Sequence, residues 1–149
     1  MSTTDPDGVK VAAPRVLVVD DDLRMLDLIE EMLRASDYAV VSASKPAEGL
    51  ALALQQRFDC AVVDVEMPGG GGAALARALN SGVPDLPVIM MSGLRYDEIL
   101  ERIGGVAMTS VLCKPFRLRD LRQAITDALQ WAASGGFARE RCRVFGAIE

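Results

Sequence analysis

The sequence contains no histidine. Every mechanism that needs a histidine base, nucleophile or metal ligand within this chain is therefore excluded, including Ser-His-Asp and Cys-His catalysis. No apolar run reaches the ~18 residues that a membrane-spanning helix needs, and residues 1–14 lack the pattern of a signal peptide. We expect no membrane partner, and any chemistry must depend on carboxylates, lysine, hydroxyls or thiols.

Cysteine and basic residues are also scarce. The three cysteines, Cys60, Cys113 and Cys142, are odd in number and lack metal-site spacing, which favours a reducing, cytoplasmic setting. Sixteen basic residues against twenty-one acidic ones leave a net charge of −5. Since nucleic-acid-binding domains are more often basic, we expect no nucleic-acid partner for this domain itself.

The chain has the size of one domain, and strands and helices are predicted to alternate along it. Apolar residues at helical spacing follow each strand, and the five helices include one that begins at Pro46. Such alternation predicts a parallel sheet with helices on both faces. The predicted strands are short runs rich in branched residues, typical of strands buried on both faces: 16–19, 39–41, 61–63, 88–91 and 111–113.

Three segments are predicted from the pattern. Residues 1–13 are polar and patternless, so we predict a disordered N-terminal arm. A domain is predicted over 14–134, and 135–149 is a C-terminal tail or the start of a linker.

Polar residues follow four of the predicted strands, at the edge where α/β sheets hold their ligands. Carboxylates in one pocket raise each other's pKa unless a cation neutralises them, and oxygen ligands suit Mg²⁺. An aspartate beside Mg²⁺, a lysine and a hydroxyl can attack phosphorus and form an aspartyl phosphate. The residues at these strand ends are Asp20, Asp21 and Asp22, then Asp64, Ser92 and Lys114.

Over about residues 14–134 the sequence resembles the response-regulator receiver domains of two-component signalling. The resemblance implies an α/β, flavodoxin-like, doubly wound fold with a five-stranded parallel sheet in the order 2-1-3-4-5 and five helices. Four motifs in order carry it: Val16-Leu17-Val18-Val19-Asp20-Asp21-Asp22; Asp64-Val65-Glu66-Met67-Pro68-Gly69 followed by Gly72; Ser92 closing an apolar strand; and Lys114-Pro115-Phe116.

The resemblance implies that Asp64 is a phosphoacceptor. It would take a phosphoryl group from the phosphohistidine of a sensor histidine kinase or a phosphotransfer protein. Mg²⁺ would be bound by Asp21, Asp64 and the backbone carbonyl of Glu66, with Asp20 acting directly or through water. Asp22 is expected to precede the first helix as a bystander. The protein would be a signalling phosphoacceptor rather than an enzyme.

The resemblance also implies a switch. Lys114 would pair with the phosphoryl oxygens, and Ser92 would donate a hydrogen bond to them and shift the loop after the fourth strand. A cis peptide bond is expected at Lys114-Pro115. Val111 stands where the family often has an aromatic residue, so switching is expected to depend on Ser92 and the backbone. The face formed by helix 4, strand 5 and helix 5 would contact partners, and a homodimer through it remains open.

Other classes remain open beside the receiver domain. Asp20 and Asp22 form the Asp-x-Asp pattern of haloacid-dehalogenase phosphatases, which would carry the phosphate on Asp20. That family has Thr or Val where this chain has Arg24. A flavodoxin-type electron carrier would need a hydroxyl-rich loop where three aspartates stand. The last alternative is a degenerate receiver that serves only as a binding module.

Overall fold

A computed structural model gives the fold, and it describes residues 3–4, 10–11, 13–135 and 142–146. In this part of the chain, six parallel strands form one sheet in the order β2-β1-β3-β4-β5-β6. The strands are β1 Arg15–Val19, β2 Ala39–Ala43, β3 Cys60–Asp64, β4 Val88–Ser92, β5 Ser110–Cys113 and β6 Arg143–Gly146. The helices are α1 Leu23–Ala35, α2 Pro46–Gln55, α3 Gly71–Gly82, α4 Tyr96–Arg102 and α5 Leu118–Ala133.

The core consists of two apolar layers, one on each face of the sheet. Alternate residues of β1 point into different layers, with Leu17 packed in one and Val18 in the other. The layer around Leu17 contains side chains of α2, α3 and α4, and the layer around Val18 contains side chains of α1 and α5. Because both faces are covered, the strands are continuous apolar runs. The predicted doubly wound α/β fold is confirmed.

Local sequence signals set the helix starts. The carboxylate of Asp22 accepts hydrogen bonds from the backbone N–H groups of Arg24 at 3.0 Å and Met25 at 3.4 Å, which satisfies donors that the first turn of α1 leaves unpaired. Pro46 occupies the first position of α2, as predicted. The first acidic run therefore turns directly from strand into helix, with Asp20 and Asp21 at the turn.

The predicted count of five strands needs correction, because the structure has a sixth strand in the sheet. β6 lies within the predicted tail and pairs with β5, Val144 opposite Val111 and Phe145 opposite Leu112. Val144 and Phe145 pack against the two different apolar layers, which explains why this short segment adds to the edge of the sheet.

At the other end of the chain, Thr3–Thr4 pairs antiparallel with Lys10–Val11 inside the arm predicted to be disordered. An isolated two-stranded ribbon is marginal in water, and the sequence of the arm contains no alternating pattern that would predict it. Residues 1–2, 5–9 and 12 of the arm, and 136–141 and 147–149 of the tail, lie outside the described residues. The domain boundaries themselves stay predictions. Among the described helices, none combines the length and the apolar character that crossing a membrane requires.

Candidate functional site

The carboxyl edge of the sheet brings three aspartates together. Asp20 and Asp21 follow β1, and Asp64 is the last residue of β3, the neighbouring strand. One carboxylate oxygen from each of the three lies within 4.8 Å of the others. Asp20 is 0% and Asp64 3% exposed, whereas Asp21 is exposed. The carboxyl groups of Asp20 and Asp64 are thus buried within the site, and Asp21 lies on its solvent-exposed side.

Lys114 provides positive charge at this edge. Its Nζ lies 3.4 Å from Oδ2 of Asp20 and 3.4 Å from Oδ1 of Asp64. Its backbone N–H donates to the carbonyl of Ser92 at 2.7 Å, and the Lys114-Pro115 peptide bond is cis, as predicted. Burial would lower the pKa of Lys114, but attraction to Asp64 and then to Asp20 outweighs burial and raises it. The ammonium group therefore stays charged and faces both buried carboxylates.

The charge balance of the site is unfavourable for Asp64. Burial raises its pKa most, Lys114 lowers it, and the nearby Asp20 raises it again. A hydrogen bond from the backbone N–H of Glu66 to Oδ1 of Asp64, 3.2 Å long, also lowers the pKa. The net effect is a rise from 3.8 to about 6. Burial and the neighbouring Asp20 therefore outweigh the attraction of Lys114, and the ionised form of Asp64 is disfavoured.

The residues present fit Mg²⁺. The donors are all carboxylate oxygens, as hard divalent cations require, and excess negative charge is the condition that such a cation relieves. Asp20, Asp21 and Asp64 are thus brought together as the sequence predicts. The role of the Glu66 backbone carbonyl stays a prediction.

The side chain of Glu66 makes contacts at this edge that the sequence does not predict. Its Oε1 accepts a hydrogen bond from the Ser92 hydroxyl at 2.7 Å and another from the backbone N–H of Gly93 at 2.8 Å. The Ser92 oxygen in turn accepts from the N–H of Leu94 at 2.9 Å. An acidic residue two positions after Asp64 is the signal that could have suggested such a contact.

Because Gly72 has no side chain, it can lie close to the backbone at the end of β3. A Cβ atom there would lie 2.1 Å from the backbone oxygen of Asp64 and 2.7 Å from that of Val65. The start of α3 therefore packs directly on the backbone that carries Asp64. Of the four consecutive glycines, Gly72 is the one that the resemblance singles out.

Comparisons with known proteins identify the family. A family model described as the response regulator receiver domain matches residues 16–126. The chain belongs to the response regulator receiver domain family. This receiver domain is 33% identical over 141 residues to the transcriptional regulatory protein PrrA of Mycobacterium tuberculosis, a match that covers 93% of this chain and 60% of PrrA. It is 35% identical over 109 residues to the response regulator MprA of Mycobacterium sp. strain KMS, which covers 72% of this chain and 46% of MprA. The receiver domain thus spans about half the length of these relatives.

Solved structures of receiver domains are also similar to this chain. A CheY-like response regulator receiver domain protein from Methanospirillum hungatei has a TM-score of 0.77 and 28% identity, over 83% of this chain and 99% of that one. The receiver domain of the sensor histidine kinase PA1611 from Pseudomonas aeruginosa has a TM-score of 0.71 and 25% identity, over 82% and 99%. Its structure has a magnesium ion coordinated in the active site cleft. The comparisons do not support the phosphatase alternative based on Asp20.

Proposed function

We propose that this receiver domain accepts a phosphoryl group on Asp64 and reports phosphorylation through the loop after β4. One observation carries the proposal: the carboxylates of Asp20, Asp21 and Asp64 converge within 4.8 Å, while Nζ of Lys114 lies 3.4 Å from two of them. This arrangement combines a carboxylate nucleophile, a cation site and a fixed ammonium group, which are the parts that phosphoryl transfer needs.

The transfer forms one bond and breaks one. A carboxylate oxygen of Asp64 attacks phosphorus and forms a P–O bond, while the P–N bond of a phosphohistidine breaks and its electron pair returns to the imidazole, which takes a proton from water. The histidine belongs to another protein or domain, because this chain has none. Lys114, whose Nζ lies 3.4 Å from Oδ1 of Asp64, would pair with an oxygen of the transferred group.

Asp20, Asp21 and Asp64 would bind Mg²⁺, together with the backbone carbonyl of Glu66. When bound, Mg²⁺ supplies positive charge that the phosphoryl oxygens need during transfer. The magnesium ion in the related PA1611 receiver domain supports this assignment. Asp20 acts either as a direct ligand or through water, and its buried carboxylate is held by the backbone N–H of Asp22 at 2.9 Å and by Lys114 at 3.4 Å.

The partner is a sensor histidine kinase or a phosphotransfer protein, and the role is signalling rather than turnover of a substrate. The names of PrrA and MprA, a transcriptional regulatory protein and a response regulator, support this. The free, buried thiols of Cys60 and Cys113 support the cytoplasmic setting. A homodimer through α4, β5 and α5 remains a prediction, and β6 lies along β5 on that side of the sheet.

Intact mass after incubation with acetyl phosphate and Mg²⁺ tests the proposal. Wild type should gain one phosphoryl group, and it should gain none in EDTA or as Asp64→Asn. The exposed Asp97 gives a matched control, because Asp97→Asn removes the same charge on α4 and should label like wild type.

Two results would contradict the assignment. Labelling that persists in Asp64→Asn would place the nucleophile elsewhere, with Asp20 the first candidate. Absence of labelling together with absence of beryllofluoride binding would leave a receiver fold without phosphoacceptor chemistry.

A further inference from the structure

Glu66 introduces a further carboxylate next to the proposed phosphoryl site. Its Oε1 accepts two hydrogen bonds from the end of β4, one from the Ser92 hydroxyl at 2.7 Å and one from the Gly93 N–H at 2.8 Å. Both bonds have a charged acceptor, which makes them stronger than bonds between neutral groups. An exposed side chain on the loop after β3 is thereby tied to the next strand.

The Ser92 hydroxyl and the Gly93 N–H can together donate only two hydrogen bonds. A serine hydroxyl has one proton to donate, and so has a backbone amide. β3 and β4 are hydrogen-bonded neighbours, with Asp64 opposite Met91, so Ser92 and Gly93 directly follow the residue that faces Asp64. These donors therefore lie at the same edge of the sheet as Asp64, and the Glu66 carboxylate already accepts from both.

A phosphoryl group and the Glu66 carboxylate cannot share these donors. A phosphoryl group adds about 1.5 to 2 negative charges and its own acceptor oxygens, and like charges at one donor pair repel each other. The negative charge of Glu66 also contributes to raising the pKa of Lys114, so it acts on the other group proposed to bind the phosphoryl oxygens.

We infer that Glu66 is a positioning residue that competes with the phosphoryl group for Ser92 and Gly93. The inference rests on the proposed function. Phosphorylation of Asp64 must displace the Glu66 carboxylate before Ser92 can turn to the phosphoryl oxygens and move the loop after β4. Glu66 therefore holds the unphosphorylated arrangement of that loop and weakens the response to phosphorylation.

Beryllofluoride with Mg²⁺ provides the test, because it binds as a phosphoryl mimic without a chemical step. Its affinity is measured by titration, followed by the amide resonance of Gly93, in wild type, Glu66→Ala and Glu66→Gln. We expect roughly tenfold tighter binding in Glu66→Ala, the scale of one lost charge-assisted bond, and a smaller gain in Glu66→Gln, which keeps a neutral acceptor. Glu98→Gln removes the same charge from an exposed position on α4 and should change the affinity less than twofold.

A second measurement needs neither metal nor beryllofluoride. Hydrogen exchange of the Gly93 amide should accelerate in Glu66→Ala and stay unchanged in Glu98→Gln, because only the first variant removes the acceptor of that N–H. The urea midpoint of each variant shows that the fold is retained.

The outcomes separate the two hypotheses. If wild type binds beryllofluoride and Asp64→Asn does not, the proposed function holds. Equal affinity in wild type and Glu66→Ala, or an equal gain in Glu98→Gln, then overturns the competition alone. If neither wild type nor Glu66→Ala binds, both fail. Binding by Glu66→Ala with none by wild type supports both.

Discussion

Ionised Asp64 destabilises the metal-free fold, and the size of this effect follows from the site. Burial raises its pKa most, and the nearby Asp20 adds to the rise, from 3.8 to about 6. The folded protein therefore binds more protons than the unfolded chain between these values. The contribution of Asp64 to the free energy of unfolding is therefore largest below about pH 4, and it is lost as the pH rises through about 6. At 1.36 kcal/mol for each pKa unit, the loss is about 3 kcal/mol.

Asp64→Asn removes this loss while keeping the shape of the side chain. We predict that the variant is about 2 to 3 kcal/mol more stable than wild type in EDTA at pH 7.5, and equal to it at pH 4, where Asp64 is protonated in the folded state. Urea unfolding, followed by the fluorescence of Trp131 on α5, the chain's one tryptophan, gives both values.

Two controls define what the result means. Asp97→Asn, which removes an exposed carboxylate from α4, should leave the stability unchanged at both pH values. Saturating Mg²⁺ should stabilise wild type and reduce the advantage of Asp64→Asn, because the cation binds the folded site. An Asp64→Asn variant that gains nothing at pH 7.5, or gains as much at pH 4, would refute the argument from buried charge.

Further variants test other parts of the structure. Gly72→Ala should destabilise the domain by about 3 kcal/mol in urea unfolding, because its Cβ would overlap the backbone oxygen of Asp64, 2.1 Å away. The control is Gly104→Ala, whose Cβ would have its nearest neighbour at 3.7 Å and which should change stability by less than about 0.5 kcal/mol. Asp20→Asn should weaken Mg²⁺ binding about tenfold or more in calorimetry, since even the loss of a residue that only hydrogen-bonds to a metal ligand weakens metal binding by roughly this much. Unchanged affinity would place the cation elsewhere. Arg143→Ala should cost about 1 kcal/mol in urea unfolding, because it removes the 3.3 Å ion pair to the buried Asp127; no loss would show that this pair does not help to hold β6 in the sheet.

The core strands could be predicted because their signal is local. The run 16–19 is apolar without interruption, and in the structure all four residues are fully buried between two helical layers. β6 has no such signal, since Arg143–Gly146 begins with a charged residue and ends with glycine around two apolar residues. Its pairing depends on the free edge of β5 and on apolar layers built by distant parts of the chain.

The site also has parts that the sequence predicts and a contact that it does not. Asp20, Asp64 and Lys114 could be placed together because each follows a predicted parallel strand, and parallel strands end at one edge. Their chemical roles stay predictions. The position of Glu66, two residues after Asp64, indicates a charge near the site, but its bond with Ser92 could not be predicted, because that bond depends on the path of the loop after β3 and on a side-chain rotamer.

The direction of β6 sets where an attached group would sit. α5 runs back across the sheet after β5, so it ends at Ala133 near the edge opposite the site. β6 is parallel to β5 and returns to the carboxyl edge, where Gly146 pairs with Cys113, the residue before Lys114. A fluorophore joined after Gly146 would therefore be held at the same edge of the sheet as the proposed phosphorylation site, with β4 and β5 between β6 and the strand that carries Asp64, whereas one joined after Ser134 would lie at the opposite edge. β6 therefore ends at the same edge of the sheet as Asp20, Asp64 and Lys114.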